Sequence, residues 1–280
     1  MLHRHVGCEP GVFTHAPSNV LEVLTRLPGI EVRDAPLVRI AVREGRATGV
    51  VLPDGEEIAA AVVLSGADPR RTLLEWTDPG GLDPELVRAV RHIRSRGVAA
   101  RVELVLDRDP GFRMLAFAPS LDYLERAHDD AKYGRVSQSP LVQAHAERAR
   151  EGRYLVTLRV QYAPYSLAGG WDRERCESLA DSAIRVLSNA VPGIESAITE
   201  RRVLSPVDLD QRNGWPQGQP IQAELALDQL LWMRPVPELA RYRTPIKGLY
   251  LCGPAMHPGI AAASGRNAAR QVLRDSRRRR

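Results

Sequence analysis

The sequence predicts a protein of the α/β plus α+β class, and three stretches of the chain support this prediction. Residues 30–64 hold four short apolar runs separated by turn-forming residues, a pattern that predicts a β meander. Residues 68–244 mix strand-like and helix-like patterns without regular alternation, which indicates an α+β domain. Residues 248–273 pass from a short apolar run through a glycine- and proline-rich loop into a helix-favouring segment.

The first region predicts one helix followed by strands. Ser18 and Asn19 can cap a helix over 20–27 whose apolar residues share one face, and Pro28-Gly29 ends it. The expected strands of the meander are 30–32, 37–42, 49–52 and 58–64. Turn-forming residues separate the later strands, so we expect hairpins.

The middle region predicts three helices and two strands. Helices are expected over 84–93, 120–131 and 172–190, and strands over 98–106 and 154–162. The helix over 172–190 is amphipathic. Its predicted inner face is formed by Cys176, Leu179, Ala180, Ile184 and Leu187.

The last region predicts a buried strand over 249–252, a loop broken at Gly253-Pro254 and Pro258-Gly259, and a helix over 261–273. Glycines let backbone amides approach a ligand closely, and a helix start favours anionic or electron-rich groups. This pattern indicates a cofactor or anion site. It is equally typical of a strand that turns into a packed helix, with the glycines serving only the turn.

The same region resembles the C-terminal flavin-binding signature of phytoene-desaturase-like FAD-dependent oxidoreductases. That signature runs Gly-Leu-Tyr-Leu-Cys-Gly, three variable residues, His-Pro-Gly-Gly-Gly-Val, and then Gly-Arg-Asn-Ala-Ala. The chain matches it at 248–253, 257–259 and 265–269. It departs at 260–262, where Ile-Ala-Ala stands in place of Gly-Gly-Val.

Further segments resemble the family in the same order along the chain. They are 45–50, 161–165, 204–209, 224–230 and 233–237. Residues 65–69 resemble the family's Ser-Asn-Ala-Asp-Pro crossover, with Gly66 in place of the usual Asn. Together these segments cover about residues 30 to 275 of the sequence.

The resemblance implies a partial FAD-binding domain of the glutathione-reductase-like type, with an inserted α+β substrate domain. The implied domains are 1–67 and 245–275 for the FAD-binding part, 68–244 for the substrate or cap domain, and 276–280 for a basic tail. The implied cofactor is FAD. The implied cofactor-binding residues are Val38, Gly253, Pro254, His257, Pro258, Gly259, Ile260 and Ala261.

One expected motif does not occur in these 280 residues. Dinucleotide-binding domains of this type begin with Gly-x-Gly-x-x-Gly, whose backbone amides hold the pyrophosphate. No Gly-x-Gly pair occurs anywhere in the chain. The resemblance therefore covers only the C-terminal half of such an enzyme, and we expect the chain alone to bind FAD weakly or not at all.

Three explanations are open. A second chain supplies the N-terminal half, the chain is a truncated product, or it is a non-catalytic subunit or pseudoenzyme that binds a partner protein. The first reading predicts an oxidoreductase that oxidises a largely apolar small molecule once it is complemented. The departure at 260–262 and the missing Gly-x-Gly-x-x-Gly both favour the last explanation.

Charge and composition argue against a nucleic-acid-binding protein and against a transmembrane helix. The net charge is +5, but the four terminal arginines supply most of it, so the body of the chain is nearly neutral. These arginines are not interleaved with aromatic residues, so no nucleic-acid partner is predicted. No apolar run approaches the roughly 18 residues that a transmembrane helix needs.

The side chains predict neither a metal site nor a catalytic triad. Three widely separated cysteines, Cys8, Cys176 and Cys252, predict a reducing, cytoplasmic setting, and Cys252 is interpreted as a buried hydrophobe. The catalytic residues are therefore unknown. Asp228 and Arg234 flank an apolar run and could either orient a substrate or form a structural ion pair.

Overall fold

The computed structural model describes residues 26–257 and 261–277, without the side chains of residues 261 and 262. The helix predicted over 20–27 lies almost entirely outside the described residues. The described chain divides into two compact units: one contains the residues up to Ile93 and from Ala226 onward, and the other is Arg94–Leu225. The domain division predicted from the sequence, at 67–68 and 244–245, is defined by cofactor and cap roles and stays a prediction.

The elements are numbered in chain order. The strands are β1 Arg39–Arg43, β2 Arg46–Val51, β3 Glu57–Ala59, β4 Val63–Ser65, β5 Ala99–Leu106, β6 Met114–Phe117, β7 Leu141–Arg148, β8 Tyr154–Gln161, β9 Ile198–Leu204 and β10 Leu249–Leu251. The helices are α1 Pro84–Arg91, α2 Leu121–Lys132, α3 Arg173–Ala190, α4 Pro206–Asn213 and α5 Ala261–Arg277. A π-helical turn covers Arg71–Glu75, and seven short 3-10 turns are described besides these elements.

The first unit contains two sheets. Strands β1, β2 and β3 form an antiparallel meander in that order, whereas β4 pairs in parallel with β10, with Leu64 opposite Tyr250. The β1–β2 hairpin is tied to the segment before β10, since the Ala47 N–H donates to the Lys247 carbonyl and the Lys247 N–H donates to the Gly45 carbonyl, both at 2.9 Å. The early meander and the late strand therefore belong to one folded unit.

Two strand predictions in this unit are wrong. Residues 30–32 form no strand, and the side chains of Ile30 and Val32 are exposed, because no described strand pairs with them. The run predicted over 58–64 is two strands instead of one. Since β3 pairs antiparallel with β2 and β4 pairs parallel with β10, the chain must change sheets over residues 60–62.

The second unit is a five-stranded antiparallel sheet with the order β6-β7-β8-β5-β9. One face packs against α3, and the alternation of β8 shows why: Tyr154, Val156, Leu158 and Val160 are buried, while the residues between them are half-buried. The predicted inner face of α3 is confirmed, except that Cys176 is only half-buried. The Asp172 carboxylate caps α3 by accepting from the Arg175 N–H at 2.8 Å.

Candidate functional site

Two loops meet at the carboxyl ends of the parallel strands β4 and β10. The loop after β4 begins at Gly66, and the loop after β10 begins at Cys252. The Cys252 N–H donates to the Ser65 carbonyl at 2.7 Å, which extends the pairing into the loops. In open α/β sheets, ligands bind outside the carboxyl ends of parallel strands, so this edge is the candidate site.

Gly253 is the point at which the two loops approach each other. Its φ is +87°, a conformation that side chains with a Cβ rarely adopt. A Cβ at this position would lie 2.7 Å from the Gly66 carbonyl oxygen. A glycine is therefore required by contacts within the chain itself. Its presence alone does not distinguish a cofactor cradle from a tightly packed turn.

The loop after β10 folds into a compact turn. The N–H groups of Met256 and His257 both donate to the Gly253 carbonyl at 3.2 Å, and the side chains of Ala255 and Met256 are buried. Among the described residues, no backbone hydrogen bond uses the N–H of Gly253 or Ala255. Because Ala255 is fully buried and Gly253 only half-buried, the Gly253 N–H is the donor that could reach an electron-rich group such as a flavin or a phosphate.

Arg234 braces this loop from within the first unit. Its side chain is 2% exposed. One terminal nitrogen of the guanidinium donates to the Pro254 carbonyl at 3.0 Å, and the other donates to the Gln229 carbonyl at 3.2 Å. Burial lowers the pKa of Arg234 to about 10, so the group remains charged at neutral pH. Arg234 thereby fixes the carbonyl next to Gly253.

From the sequence, Asp228 and Arg234 could orient a substrate or form a structural ion pair, and both alternatives stay predictions. In the structure Asp228 is exposed, whereas the guanidinium of Arg234 binds backbone carbonyls. Because Arg234 and Pro254 are 20 positions apart, only the fold brings them together. In the sequence, the one signal that Arg234 is buried was its position next to the apolar run 230–233.

Helix α5 is held against β10 by a polar network. The Arg243 guanidinium donates to both oxygens of the Asp275 carboxylate, and the Tyr250 hydroxyl donates to the same carboxylate at 2.9 Å. These hydrogen bonds, those from Arg243 first, lower the pKa of Asp275 to about 2. Ser264 and Ala268 on α5 are fully buried. These hydrogen bonds and the buried face hold α5, which follows the candidate loop, against β10.

The predicted cofactor residues fall into three groups. Gly253, Pro254 and His257 lie together in the loop after β10, as the sequence placed them. Val38 lies beside β1 in the antiparallel meander, where its N–H donates to the Val51 carbonyl at 3.0 Å and its side chain is half exposed. Pro258, Gly259 and Ile260 lie outside the described residues, and Ala261 is described only as the backbone that begins α5.

The cysteine of the loop is not arranged as a nucleophile. Burial raises the pKa of the Cys252 thiol, so the thiolate is disfavoured at neutral pH. Cys252 is half-buried, so the structure argues against a nucleophile, and the interpretation of this residue as fully buried is wrong. Within residues 26–257 and 261–277, no group of three His, Cys, Asp or Glu side chains is placed to hold a metal ion. In the same part of the chain, no helix has the length and apolar composition that crossing a membrane requires.

The described residues form a mixed α/β fold that is shared with a solved structure. The crystal structure of an oxidoreductase from Methanosarcina mazei superposes on 85% of this chain and 48% of its own length, with a TM-score of 0.51 and 15% sequence identity. At that identity the likeness concerns the fold alone. The family model for flavin containing amine oxidoreductases matches residues 19–273, so the chain belongs to that family.

Curated relatives agree with this assignment. Pyridine nucleotide-disulfide oxidoreductase domain-containing protein 2 of Rattus norvegicus is 36% identical over 259 residues, covering 83% of this chain and 45% of that protein. The neurosporene-forming phytoene desaturase of Rhodobacter capsulatus is 27% identical over 243 residues, covering 79% of this chain and 44% of that protein. The resemblance to the phytoene-desaturase-like group is confirmed. The chain spans about half the length of the curated relatives it matches.

Proposed function

We propose that the chain forms the C-terminal part of an FAD-dependent oxidoreductase that removes hydrogen from a C–C or C–N bond of a largely apolar small molecule. The observation that carries this proposal is the parallel pairing of β4 with β10, which places the loops after both strands at one edge. The family of flavin containing amine oxidoreductases supplies the cofactor class. In this proposal, 1–67 and 245–275 belong to the FAD-binding domain, and 68–244 form the substrate domain.

Bound FAD would supply the chemistry by accepting the hydride. The residues of this chain would then bind and orient. The N–H of the half-buried Gly253 is the donor that the turn can offer, and Arg234 fixes the adjacent Pro254 carbonyl. Such a role needs no acid or base side chain in the loop.

The proposal includes a pyrophosphate clamp from outside these 280 residues. The sequence contains no Gly-x-Gly-x-x-Gly, which supplies most of the backbone donors for the pyrophosphate in this type of domain. We propose that a complementary segment carrying this motif completes the site. The reducing, cytoplasmic location also belongs to the proposal, and the widely separated cysteines support it.

A second candidate function is that of a non-catalytic subunit or pseudoenzyme that binds a partner protein. One observation favours it: Leu227 is 93% exposed, and Leu231 and Trp232 are each 74% exposed, within a single short segment. Exposed apolar residues that are clustered in this way are typical of interaction sites. The two candidates differ in whether the assembled protein holds a flavin.

The test is a flavin titration of the full chain, alone and copurified with a polypeptide that carries Gly-x-Gly-x-x-Gly and the preceding strand. We expect the complex to be yellow, with the visible absorbance of one oxidised flavin per chain, and the chain alone to bind FAD far more weakly. A stable but colourless complex would support the non-catalytic subunit. Tight FAD binding by the isolated chain would contradict the need for an outside clamp.

A matched pair of variants locates the cofactor. His257→Gln changes the candidate loop, whereas His92→Gln changes an exposed histidine at the end of α1 in the same unit. We expect His257→Gln to weaken FAD binding by the complex several-fold and His92→Gln to leave it unchanged. Equal affinities for both variants would show that the His257 side chain does not contribute to flavin binding.

A further inference from the structure

Strands β4 and β10 form a parallel sheet of two strands within the described residues, and the outer edge of β10 is already occupied. On that edge the Leu251 N–H donates to the Tyr242 carbonyl at 2.9 Å. The Leu249 carbonyl accepts from the Thr244 N–H at 3.3 Å. The segment before β10 therefore bonds the backbone on that side, and a further strand can join this sheet only beside β4.

Leu64 presents its backbone groups to the edge beside β4. In a parallel pair, alternate residues of a strand direct their N–H and C=O groups towards the same neighbour. The Val63 N–H donates to the Gly248 carbonyl at 2.8 Å, and the Ser65 carbonyl accepts from the Cys252 N–H at 2.7 Å, so these two residues of β4 face β10. Leu64 lies between them and faces away. Within the part of the chain that the structure describes, no backbone hydrogen bond uses its N–H or its carbonyl.

This edge is apolar and lacks the features that protect natural sheet edges. Residues 61–64 read Ala-Val-Val-Leu, without a charge or a proline, although such residues commonly keep an edge from pairing. Leu64 is 42% exposed and Val63 is half-buried, whereas no side chain of β10 is more than 5% exposed. Parallel strands are normally covered on both faces. Strand β4 therefore has the composition of an inner strand at the position of an edge strand.

We infer that β4 is an interaction surface that accepts one strand of a partner polypeptide, added parallel to it. The added strand would exchange backbone hydrogen bonds with the N–H and carbonyl of Leu64. Apolar side chains on both of its faces would lie beside those of Val63 and Leu64, which point to opposite faces of the sheet.

The direction of the added strand follows from the loops of the candidate site. The loops that begin at Gly66 and Cys252 lie at the carboxyl ends of β4 and β10. Only a strand parallel to β4 ends at the same place, so that the loop after it reaches these loops. In dinucleotide-binding domains Gly-x-Gly-x-x-Gly directly follows a strand. The partner strand is therefore the one that precedes this motif in the complementary segment, and to that extent the inference rests on the proposed function.

Hydrogen exchange of the full chain, followed by NMR, tests the open edge without any partner. We expect the Leu64 amide to exchange fast and the Val63 amide, which is bonded to Gly248, to be protected. Addition of the polypeptide used in the flavin titration, without flavin, should then protect the Leu64 amide. A Leu64 amide as protected as that of Val63 in the chain alone would overturn the open edge.

The key variant is Leu64→Pro, which removes the outward N–H and is tolerated in an edge strand whose missing N–H faces solvent. Its matched control is Met114→Pro in the edge strand β6 of the second unit. The Met114 N–H also points away from its sheet, because the preceding Arg113 carbonyl accepts from the Ala146 N–H of β7 at 2.9 Å. We expect Leu64→Pro to weaken binding of the polypeptide at least tenfold and Met114→Pro to leave it unchanged. Should Leu64→Pro not fold, Leu64→Lys takes its place, because a charge on the edge also opposes pairing.

Measuring binding with and without FAD separates this inference from the flavin proposal. A colourless complex that the variants at position 64 abolish would support strand addition and contradict the flavin. A yellow complex that forms equally well with these variants would support the flavin and overturn strand addition, as would a wild type that does not bind the polypeptide. Self-association that Leu64→Pro abolishes would make a second copy of the chain the occupant of the edge and overturn the proposed partner.

Discussion

Substitution of Gly253 by alanine tests the close approach of the two loops at the candidate site. The alanine would have to adopt a φ of +87°, which costs about 1–2 kcal/mol for a residue with a Cβ. Its Cβ would also lie 2.7 Å from the Gly66 carbonyl oxygen, and relieving such overpacking costs about 1–3 kcal/mol. Reduced freedom of the unfolded chain returns about 0.4–1 kcal/mol. We therefore expect a net loss of about 2–4 kcal/mol.

Two other glycines separate these contributions. Gly45 has a φ of +70° with no atom within 4 Å of the position a Cβ would occupy, so Gly45→Ala measures the backbone cost alone. At Gly49 a Cβ would lie 2.2 Å from the Ile58 carbonyl oxygen without a positive φ, so Gly49→Ala measures the steric cost alone. We expect Gly45→Ala to cost about 1 kcal/mol and Gly253→Ala clearly more.

The assay is urea unfolding of the full chain, followed by circular dichroism, with the free energy of unfolding taken for the transition that contains the first unit. The slope of that free energy with urea concentration should remain unchanged if only the folded state is affected. A Gly253→Ala variant within about 0.5 kcal/mol of Gly45→Ala would refute the tight contact between Gly253 and Gly66, because the steric term would then be negligible.

Three further predictions concern single side chains. Arg234→Met should lower stability by about 2 kcal/mol in urea unfolding, because it leaves the carbonyls of Gln229 and Pro254 without this donor; an unchanged midpoint would contradict the bracing role. Asp275 has its pKa lowered from 3.8 to about 2, so its stabilisation is present above about pH 4 and lost as the pH falls towards 2. Asp275→Asn should therefore lower the free energy of unfolding by about 1 kcal/mol at neutral pH and lose less stability than the wild type as the pH falls. A variant whose stability falls with pH as steeply as that of the wild type would argue against the network. Leu158→Ala should cost about 3 kcal/mol because its side chain is fully buried, and a loss below 1 kcal/mol would contradict that packing.

The elements that were predicted well are those whose caps and apolar patterns lie within consecutive residues. Helix α3 has an aspartate cap at its start and an apolar stripe along its length, and both are properties of consecutive residues. The alternation of β8 is equally visible, since Tyr154, Val156, Leu158 and Val160 occupy every second position. The prediction over 154–162 therefore differs from the structure by one residue at the end.

The elements that were missed depend on distant partners. Strand β9 has the sequence Ile-Thr-Glu-Arg-Arg-Val-Leu, in which four successive residues are exposed, so it has no apolar alternation. It is a strand because it pairs with β5, about 100 positions earlier, at the edge of the sheet. Charged residues at such an edge also prevent pairing with other chains. Residues 30–32 show the converse, since an apolar run forms no strand where no described partner pairs with it.

The candidate site was predictable only as far as its loop. The strand, the break at Gly253-Pro254 and the helix were readable from the residues, and the family came from their resemblance to a known signature. Two contacts could not be predicted from the sequence: that of Arg234 with Pro254, and the approach of Gly66 to Gly253. Both join residues that only the fold brings together. The cross-strand pairing of Arg101 with Arg159 in the second unit likewise depends on the register of β5 and β8.

The glycine of the candidate loop supports the cofactor less than the sequence suggests. Gly66 already explains why position 253 must be glycine, so a non-catalytic relative would keep this residue for packing alone. Arg234 is similar, because a carbonyl brace is useful in any tight loop. Family membership therefore supplies the cofactor class, the parallel pairing of β4 with β10 supports its position, and the loop contacts explain how the loop keeps its shape. It follows that variants of Gly253 and Arg234 report on stability first, whereas His257→Gln in a flavin-loaded complex reports on the cofactor itself.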